Sequence, residues 1–268
     1  MKIQRERLDK LLVNRGFVQT RTKAQALIMS GSVLVADEVV DKAGTAVSTD
    51  ASIEIRGKGD GWVSRGAHKL LRGLDAFAVD PQGAVCLDVG ASTGGFTHVL
   101  LSRDASLVYA VDVGYGQLHW TLRQDPRVVV MERTNARSLL PSSFDPLPTL
   151  AVMDASFISI RLILPVLEAV LPSDATVVTL VKPQFEAGRN RIGKGGVVRS
   201  AEVHRAVLGE LHSFLSENTS LGLMGCVPSP IRGPKGNVEF LFHLVKGVPS
   251  RIVDLDEPVR EAHEGLLP

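Results

Sequence analysis

The segment DVGASTGGF, residues 88–96, contains one acid, one serine and three glycines, and its pattern suits three kinds of chemistry. Residues 90–94 fit the G-x-S-x-G pattern that presents a nucleophilic serine, here Ser92, on a tight turn. The same glycines could form the phosphate-binding turn of a dinucleotide site. The third interpretation is a loop around S-adenosylmethionine, where glycines let the backbone contact the ligand closely.

The rest of the sequence favours the S-adenosylmethionine loop. A dinucleotide fingerprint needs a middle glycine where this chain has Ser92, whose side chain would crowd a pyrophosphate. A serine hydrolase needs an acid and then a histidine, and Asp154 followed by His204 or His243 has that order. However, His204 begins a predicted helix, His243 lies inside a predicted strand, and the chain has no HGG segment for an oxyanion hole.

Polar residues at the ends of three successive predicted strands extend this ligand site, since ligands of open parallel sheets bind at the carboxyl ends of strands. Asp88 suits the cationic amino-acid end of S-adenosylmethionine, and Asp112 can accept hydrogen bonds from both ribose hydroxyls. Asn135 and Ala136 follow the third strand and are predicted to lie beside the adenine. The full predicted cofactor-binding set is Asp88, Gly90, Ala91, Ser92, Gly94, Phe96, Asp112, Val113, Asn135, Ala136, Asp154 and Phe157.

Four charged residues, Lys69, Asp154, Lys182 and Glu239, interrupt apolar or helical stretches. Burying a charge is unfavourable unless it is paired. Asp154 ends the fourth predicted strand and Lys182 the fifth, so both should face the same pocket. The four residues are therefore candidates for one charged functional group. The alternative is a pair of unrelated lysines whose ammonium groups reach solvent, together with an exposed glutamate.

The elements that must position these residues alternate between helix and apolar strand from residue 64 onward. That rhythm predicts a parallel sheet covered by helices on both faces. The last two predicted strands are joined by IRGPKG, which is too short for a helical crossover, so they should be antiparallel. The predicted fold is α/β, a seven-stranded, mostly parallel, Rossmann-like sheet of the methyltransferase type.

Residues 1–60 are predicted to form a separate small α+β domain of two helices, over 5–15 and 20–30, and a hairpin. Residues 1–30 carry seven Lys or Arg and two acids, so this stretch has a net charge of +5 and the rest of the chain −4. The unit resembles the S4-like RNA-binding domain. The residues that carry the resemblance are Arg7-Leu8-Asp9, Gly16, Thr20-Arg21, Ala24, Leu27-Ile28, Gly31, Val33 and Val35.

Basic residues of this unit, Arg5, Arg7, Lys10, Arg21 and Lys23, are predicted to contact RNA phosphates, which anchor a protein rather than read sequence. The glycine-rich segment 56–63 is predicted to be a hinge. The second domain is predicted to span residues 61–268.

Longer motifs in the second domain resemble the FtsJ/RrmJ-type RNA ribose 2′-O-methyltransferases, and more closely the TlyA/hemolysin A family. The motifs are SRGAHKL (64–70), CLDVGASTGGFT (86–97), VDVGYGQL (111–118), ERTNAR (132–137), DASFIS (154–159), LVKPQFE (180–186) and GPKGNVEF (233–240). The resemblance implies S-adenosylmethionine-dependent 2′-O-methylation of cytidine in 23S and, in some members, 16S ribosomal RNA. It also implies sensitivity of the methylated ribosome to capreomycin and viomycin.

Lys69, Asp154, Lys182 and Glu239 resemble the Lys-Asp-Lys-Glu tetrad of the FtsJ/RrmJ-type enzymes, which implies that they are catalytic. Lys182 would align the ribose hydroxyl or remove its proton, and the sequence leaves both roles open. In-line methyl transfer gains most from holding oxygen, methyl and sulfur collinear. Arg65, Arg189 and Arg191 are further predicted RNA contacts, and a structured target cytidine would have to be flipped out.

Composition narrows the alternatives. The chain is 44% hydrophobic and 22% charged, and no apolar run approaches the roughly 18–20 residues that span a bilayer. Its first residues lack the apolar core of a signal peptide, so a cytoplasmic protein without stable membrane association is expected. Its two cysteines do not have the spacing of metal ligands, so no metal site is expected. Two alternatives stay open, a membrane-active hemolysin-like protein and an RNA-binding protein with an inactive methyltransferase fold.

Overall fold

The computed structural model describes residues 5–18, 20–36, 38–55 and 61–265. The chain divides into two compact units, Met1–Ser64 and Arg65–Pro268. Residues 56–60 of the predicted hinge lie outside the described residues.

The first unit packs two short helices with short strands. Its elements are β1 (Arg5–Arg7), α1 (Leu8–Asn14), α2 (Arg21–Met29), β2 (Val33–Val35), β3 (Glu38–Val39), β4 (Ala46–Ser48) and β5 (Ile53–Ile55). Leu8, Leu12 and Ile28 are fully buried between the helices and strands. The helix predicted from residue 5 is wrong in its first turn, because residues 5–7 pair antiparallel with β4. The hairpin prediction is confirmed by the antiparallel β2 and β3.

The second unit alternates strand and helix. Its elements are α3 (Gly66–Phe77), β6 (Val85–Val89), α4 (Gly95–Ser102), β7 (Leu107–Val111), α5 (Trp120–Arg123), β8 (Val128–Met131), β9 (Leu150–Met153), α6 (Leu164–Val170), β10 (Thr176–Val181), α7 (Pro183–Glu186), α8 (Ala201–Asn218), β11 (Leu221–Pro228), β12 (Phe240–Lys246) and α9 (Asp256–Glu264).

The seven strands form one sheet in the order β11-β12-β10-β9-β6-β7-β8, which confirms the predicted fold class. Strands β6 to β10 run parallel, and β12 is antiparallel to both β10 and β11. From β6 the chain moves outward through β7 and β8 and then returns to β9 on the other side of β6. This reversal of strand order leaves a crevice at the carboxyl ends of the strands, where α/β proteins bind ligands.

Buried apolar side chains pack the helices against the sheet, and this packing positions Lys69 of α3. Met153, Phe240 and Phe242 are completely buried in the sheet, and Leu164 and Leu167 cover it from α6. Helix α3 packs on β10 and β12, and a Cβ on its Gly73 would lie only 3.0 Å from Val178. This close approach brings the buried face of α3, which includes Lys69, against the sheet.

Candidate active site

A cavity of about 360 Å³ lies at the crevice, where loops after β6, β7, β8 and β9 converge. Eight of the twelve predicted cofactor-binding residues line it: Gly90, Ser92, Asp112, Val113, Asn135, Ala136, Asp154 and Phe157. The other four, Asp88, Ala91, Gly94 and Phe96, are buried and do not line the cavity. Their backbone or packing shapes the loop instead, with Gly94 in the left-handed region at the start of α4.

The glycine-containing loop is held in place by Asp112. Its Oδ2 accepts a hydrogen bond from the Ser92 N–H at 2.8 Å, and its Oδ1 accepts one from the Gly114 N–H at 2.6 Å. Gly90 has φ +84°, and a Cβ there would lie 2.8 Å from the Asp154 carbonyl oxygen, so no larger residue fits without rearrangement. The hydrogen bonds to Asp112 and the close approach at Gly90 therefore shape the loops on both sides of the cavity.

Asp88 lies behind this loop rather than on the cavity wall. Its side chain is fully buried, and Oδ2 accepts a hydrogen bond from the Thr97 hydroxyl at 2.7 Å. Its Oδ1 has no hydrogen-bond partner among the described residues. Burial raises the pKa of Asp88 to about 7. A buried acceptor of this kind fits a cationic amino group, or a water that bridges to one, which agrees with the predicted ligand.

The structure does not assemble a hydrolase triad around Ser92. Its hydroxyl donates to the amide oxygen of Gln117 at 3.2 Å, and an amide cannot act as a base. His204 is completely buried, with its Nδ1 2.9 Å from His263 Nε2, and burial together with His263 lowers the pKa of His204 to about 4. His243 stacks on Phe77 with ring centroids 5.2 Å apart. Both histidines therefore have packing roles.

The four charged residues predicted to act together are brought into one cluster. The Lys69 ammonium lies 2.6 Å from Glu239 and 3.7 Å from Asp154, and the Lys182 Nζ lies 2.5 Å from Asp154. They come from α3, from the ends of β9 and β10, and from the residue before β12. Asp154 also lines the cavity, so the cluster and the predicted cofactor site share a wall.

Burial and the neighbouring charges decide which of the four clustered side chains can act as a base. Burial alone would lower the pKa of Lys69, but the carboxylates of Asp154 and Glu239 outweigh it and raise the pKa. Lys69 therefore stays an ammonium and cannot serve as a base near neutral pH. Glu239 is completely buried, and a Cβ on Gly233 would lie 2.1 Å from its Oε1, so the glycine makes room for this carboxylate.

The predicted RNA contacts have different surroundings in each unit. Arg5, Lys10 and Lys23 are exposed on the first unit. Arg7 and Arg21 are also about half exposed, but both pair with the buried Asp9, at 3.1 and 2.8 Å. The hydrogen bond from Arg7 lowers the pKa of Asp9, although burial opposes it. These two arginines are thus held in fixed orientations on the surface.

In the second unit, Arg65 and Arg189 are exposed. Arg191 instead donates two hydrogen bonds to Glu210, at 2.6 and 2.9 Å, and one to the Ala187 carbonyl at 2.7 Å. Most of its donors are engaged within the unit. The structure therefore favours a structural role for Arg191 over the predicted phosphate contact.

Sequence reasoning missed Ser156 and Glu186. Ser156 Oγ lies 2.6 Å from Lys182 Nζ, and the buried Glu186 carboxylate binds the loop that carries Ser156. Both residues stand inside the quoted motifs DASFIS and LVKPQFE, but nothing in a single sequence separates them from ordinary loop polar residues. Both contacts join residues 26 positions apart in the sequence, and they form because β9 and β10 are neighbours in the sheet.

Comparison with known proteins agrees with this geometry. Residues 62–246 match the family model of the FtsJ-like methyltransferases, and residues 6–53 match that of the S4 domain. The fold and these matches define the second unit as an FtsJ-like methyltransferase. In the described part of the chain, no helix is long and apolar enough to cross a membrane.

Relatives cover nearly the whole chain. The 16S/23S rRNA (cytidine-2′-O)-methyltransferase TlyA of Mycobacterium tuberculosis is 47% identical over 243 residues, which are 90% of either chain. Hemolysin A of Brachyspira hyodysenteriae is 40% identical over 243 residues, 89% of this chain and 99% of that protein. A solved structure from Streptococcus thermophilus, provisionally named a hemolysin, has a TM-score of 0.77 and 42% identity, and the match covers 98% of this chain and 97% of that one. The chain belongs to the TlyA/hemolysin A family of FtsJ-like methyltransferases, as the sequence motifs predicted.

Proposed function

We propose that this protein methylates the 2′-hydroxyl of a cytidine in ribosomal RNA and uses S-adenosylmethionine as the methyl donor. The observation that carries the proposal is the Lys69–Glu239 and Lys182–Asp154 cluster on the wall of a strand-end cavity. The relative TlyA, at 47% identity, bears the name of a 16S/23S rRNA (cytidine-2′-O)-methyltransferase, which supports the same chemistry here.

The residues around the cavity fit this cofactor. When bound, S-adenosylmethionine supplies an electrophilic methyl group on a sulfonium, and transfer to the ribose oxygen leaves a neutral thioether. Asp112 would accept the ribose hydroxyls of the cofactor, and Asn135 and Ala136 would hold its adenine. Asp88, which lies behind the loop, would hold its amino group through a bridging water. These assignments rest on the cavity lining and on the orphaned oxygen of Asp88.

Lys182 would bind the reacting hydroxyl. Its Nζ contacts Asp154 and Ser156, which leaves one tetrahedral position of the nitrogen without a partner among the described residues. We place the ribose 2′-oxygen at that position. When Lys182 is neutral, the same position holds a lone pair that can accept the hydroxyl proton as the oxygen bonds to the methyl carbon. Lys69, held as an ammonium by Glu239, would orient Asp154.

The first unit would anchor the RNA. It presents exposed Arg5, Lys10 and Lys23, and phosphate contacts of this kind release counterions from the nucleic acid. Binding of ribosomal RNA by the full chain should therefore weaken steeply as the salt concentration rises. The target lies in 23S rRNA, in 16S rRNA or in both, and the protein would act in the cytoplasm where ribosomal subunits are assembled.

Mass-spectrometric mapping tests the proposal. Purified 30S and 50S subunits that lack the modification are incubated with protein and S-adenosylmethionine, and ribose methylation is then located. A new 2′-O-methylcytidine is expected, and its appearance in cells should increase sensitivity to capreomycin. The name of the relative Hemolysin A favours one other function, membrane damage. Leakage of phosphatidylcholine liposomes without cofactor, together with no methyl transfer, would support that function instead.

A further inference from the structure

The loop that follows β9 carries two of the groups around the reacting centre and has little structure of its own. It contains Asp154, then Ser156, whose hydroxyl lies 2.6 Å from Lys182 Nζ, then Phe157. Phe157 has φ +64° and is 91% exposed. A bulky residue in the left-handed region stores strain that the surrounding structure must hold. Some other contact is therefore needed to keep this loop in place.

Glu186 makes that contact. It ends α7, the single helical turn that begins directly after Lys182. Its side chain is only 1% exposed, and its two oxygens accept hydrogen bonds from the Ser159 hydroxyl at 2.7 Å and the Ile160 N–H at 2.8 Å. Bonds to an ionised carboxylate are roughly twice as strong as neutral ones.

The Glu186 carboxylate is held from outside the loop as well. Arg161 Nε lies 3.7 Å from it, and Arg161 also approaches Glu210 on α8 at 3.6 Å. Burial raises the pKa of Glu186, while the hydrogen bonds and Arg161 favour its charged form. The segment after β10 thus holds the segment after β9 through Lys182, which contacts Asp154 and Ser156, and through Glu186. The Phe185 ring adds a contact to the Phe157 ring, with centroids 5.4 Å apart.

We propose that Glu186 is a positioning residue for methyl transfer: by fixing Ser159 and Ile160 it holds the 154–160 loop so that Ser156 and Asp154 orient the Lys182 nitrogen. The inference rests on the proposed function, because it assigns Glu186 a part in that reaction. In this role Glu186 positions the 154–160 loop and does not contact the substrate.

Single-turnover methyl transfer to ribosomal RNA at saturating S-adenosylmethionine is the measurement. Glu186→Ala should lower the rate by about 10- to 100-fold, since a misplacement near 1 Å can reduce a rate about 100-fold. The affinity for RNA should not change. Glu186→Gln should retain most of the rate, because its amide oxygen can accept from Ile160 N–H while its amide N–H donates to the Ser159 hydroxyl.

Glu168→Ala is the matched control. Glu168 also accepts a backbone hydrogen bond, from Ser220 N–H at 2.7 Å, but it belongs to α6 and does not line the cavity. It should leave the rate unchanged even if it lowers the melting temperature. Ser159→Ala removes only one of the two hydrogen bonds to Glu186 and should lower the rate by less than Glu186→Ala. It replaces Glu186→Ala in the test if that variant does not fold.

A double-mutant cycle completes the test. If Glu186 acts through Ser156, then Ser156→Ala and Glu186→Ala should be strongly non-additive in the transfer rate. The inference is overturned if folded Glu186→Ala, or Ser159→Ala in its place, transfers methyl groups at the wild-type rate, or if the two effects simply multiply. Wild-type protein that transfers no methyl group would instead overturn the proposed function.

Discussion

The buried pair of Lys69 and Glu239 makes a quantitative prediction about stability. Glu239 is completely buried, and Lys69 is the hydrogen-bond partner of its Oε2, whereas Oε1 has no partner among the described residues. Lys69→Met would therefore leave a buried, uncompensated carboxylate. Breaking a buried pair in this way costs about 3–5 kcal/mol of unfolding free energy, a large part of the roughly 5–15 kcal/mol that stabilises a typical domain. Asp154 keeps Lys182 as a partner, so it adds little to the loss.

Chemical unfolding in urea, followed by circular dichroism of the full chain, measures this loss. The variant carboxyl can avoid an uncompensated charge by binding a proton, so the loss should be smaller at pH 5 than at pH 8. Lys69→Met/Glu239→Gln removes the charge altogether and should recover most of the stability at pH 8. A loss below about 1 kcal/mol that is the same at both pH values would show that Glu239 does not depend on Lys69, since an exposed pair contributes no more than that.

Three further predictions concern ligand binding. Burial raises the pKa of Asp88 from 3.8 to about 7, so its ionised form, which favours a cationic amino group, becomes populated as the pH rises through 7. Calorimetry should therefore show that affinity for S-adenosylmethionine increases between pH 6 and 7.5. Asp88→Asn should lose this pH dependence, and a variant that keeps it would remove Asp88 from the site. Gly90→Ala places a Cβ 2.8 Å from the Asp154 carbonyl oxygen in a left-handed backbone, so cofactor affinity should fall at least 10-fold, and normal affinity would contradict the tight loop. Replacing Arg5, Lys10 and Lys23 together by alanine should weaken RNA binding in filter assays by roughly tenfold or more without affecting cofactor binding. The salt dependence should also fall, because RNA binding releases fewer counterions when fewer phosphates are contacted. Equal RNA affinity would contradict an anchoring role.

The sheet could be predicted from the sequence because its signals are local. Each strand is a short apolar run, and the short IRGPKG loop fixes the antiparallel pairing of β11 and β12. Short elements were harder to predict. Helix α7 has only four residues, too few for a periodic pattern. Residues 5–7 are all charged and extend the polar face of the helix predicted from the leucines that follow, but strand pairing with β4 places them in a strand instead.

The site could be predicted in its chemistry but only partly in its contacts. Asp112, Asp154 and Lys182 each directly follow the last residue of a strand, so the strand pattern places them at the carboxyl edge of the sheet. Asp88 was also predicted at a strand end, but it lies inside β6, one residue before its end, and its carboxylate accepts a hydrogen bond from Thr97 on α4 behind the loop. The internal pairing of Arg191 with Glu210 was missed in the same way, because Glu210 lies on a helix 19 residues further along the chain.

The most direct test of the account is single-turnover methylation of unmodified ribosomal subunits by Lys182→Ala protein. Its folding is first checked by circular dichroism and its S-adenosylmethionine affinity by calorimetry. The account predicts that cofactor affinity stays within a few-fold of wild type while methyl transfer falls by at least about 100-fold, the range that a positioned acid–base group contributes. Lys182→Arg should not restore transfer, because a guanidinium stays protonated and its planar fork differs from an ammonium. Transfer by folded Lys182→Ala at close to the wild-type rate would contradict the central claim that Lys182 binds the reacting hydroxyl.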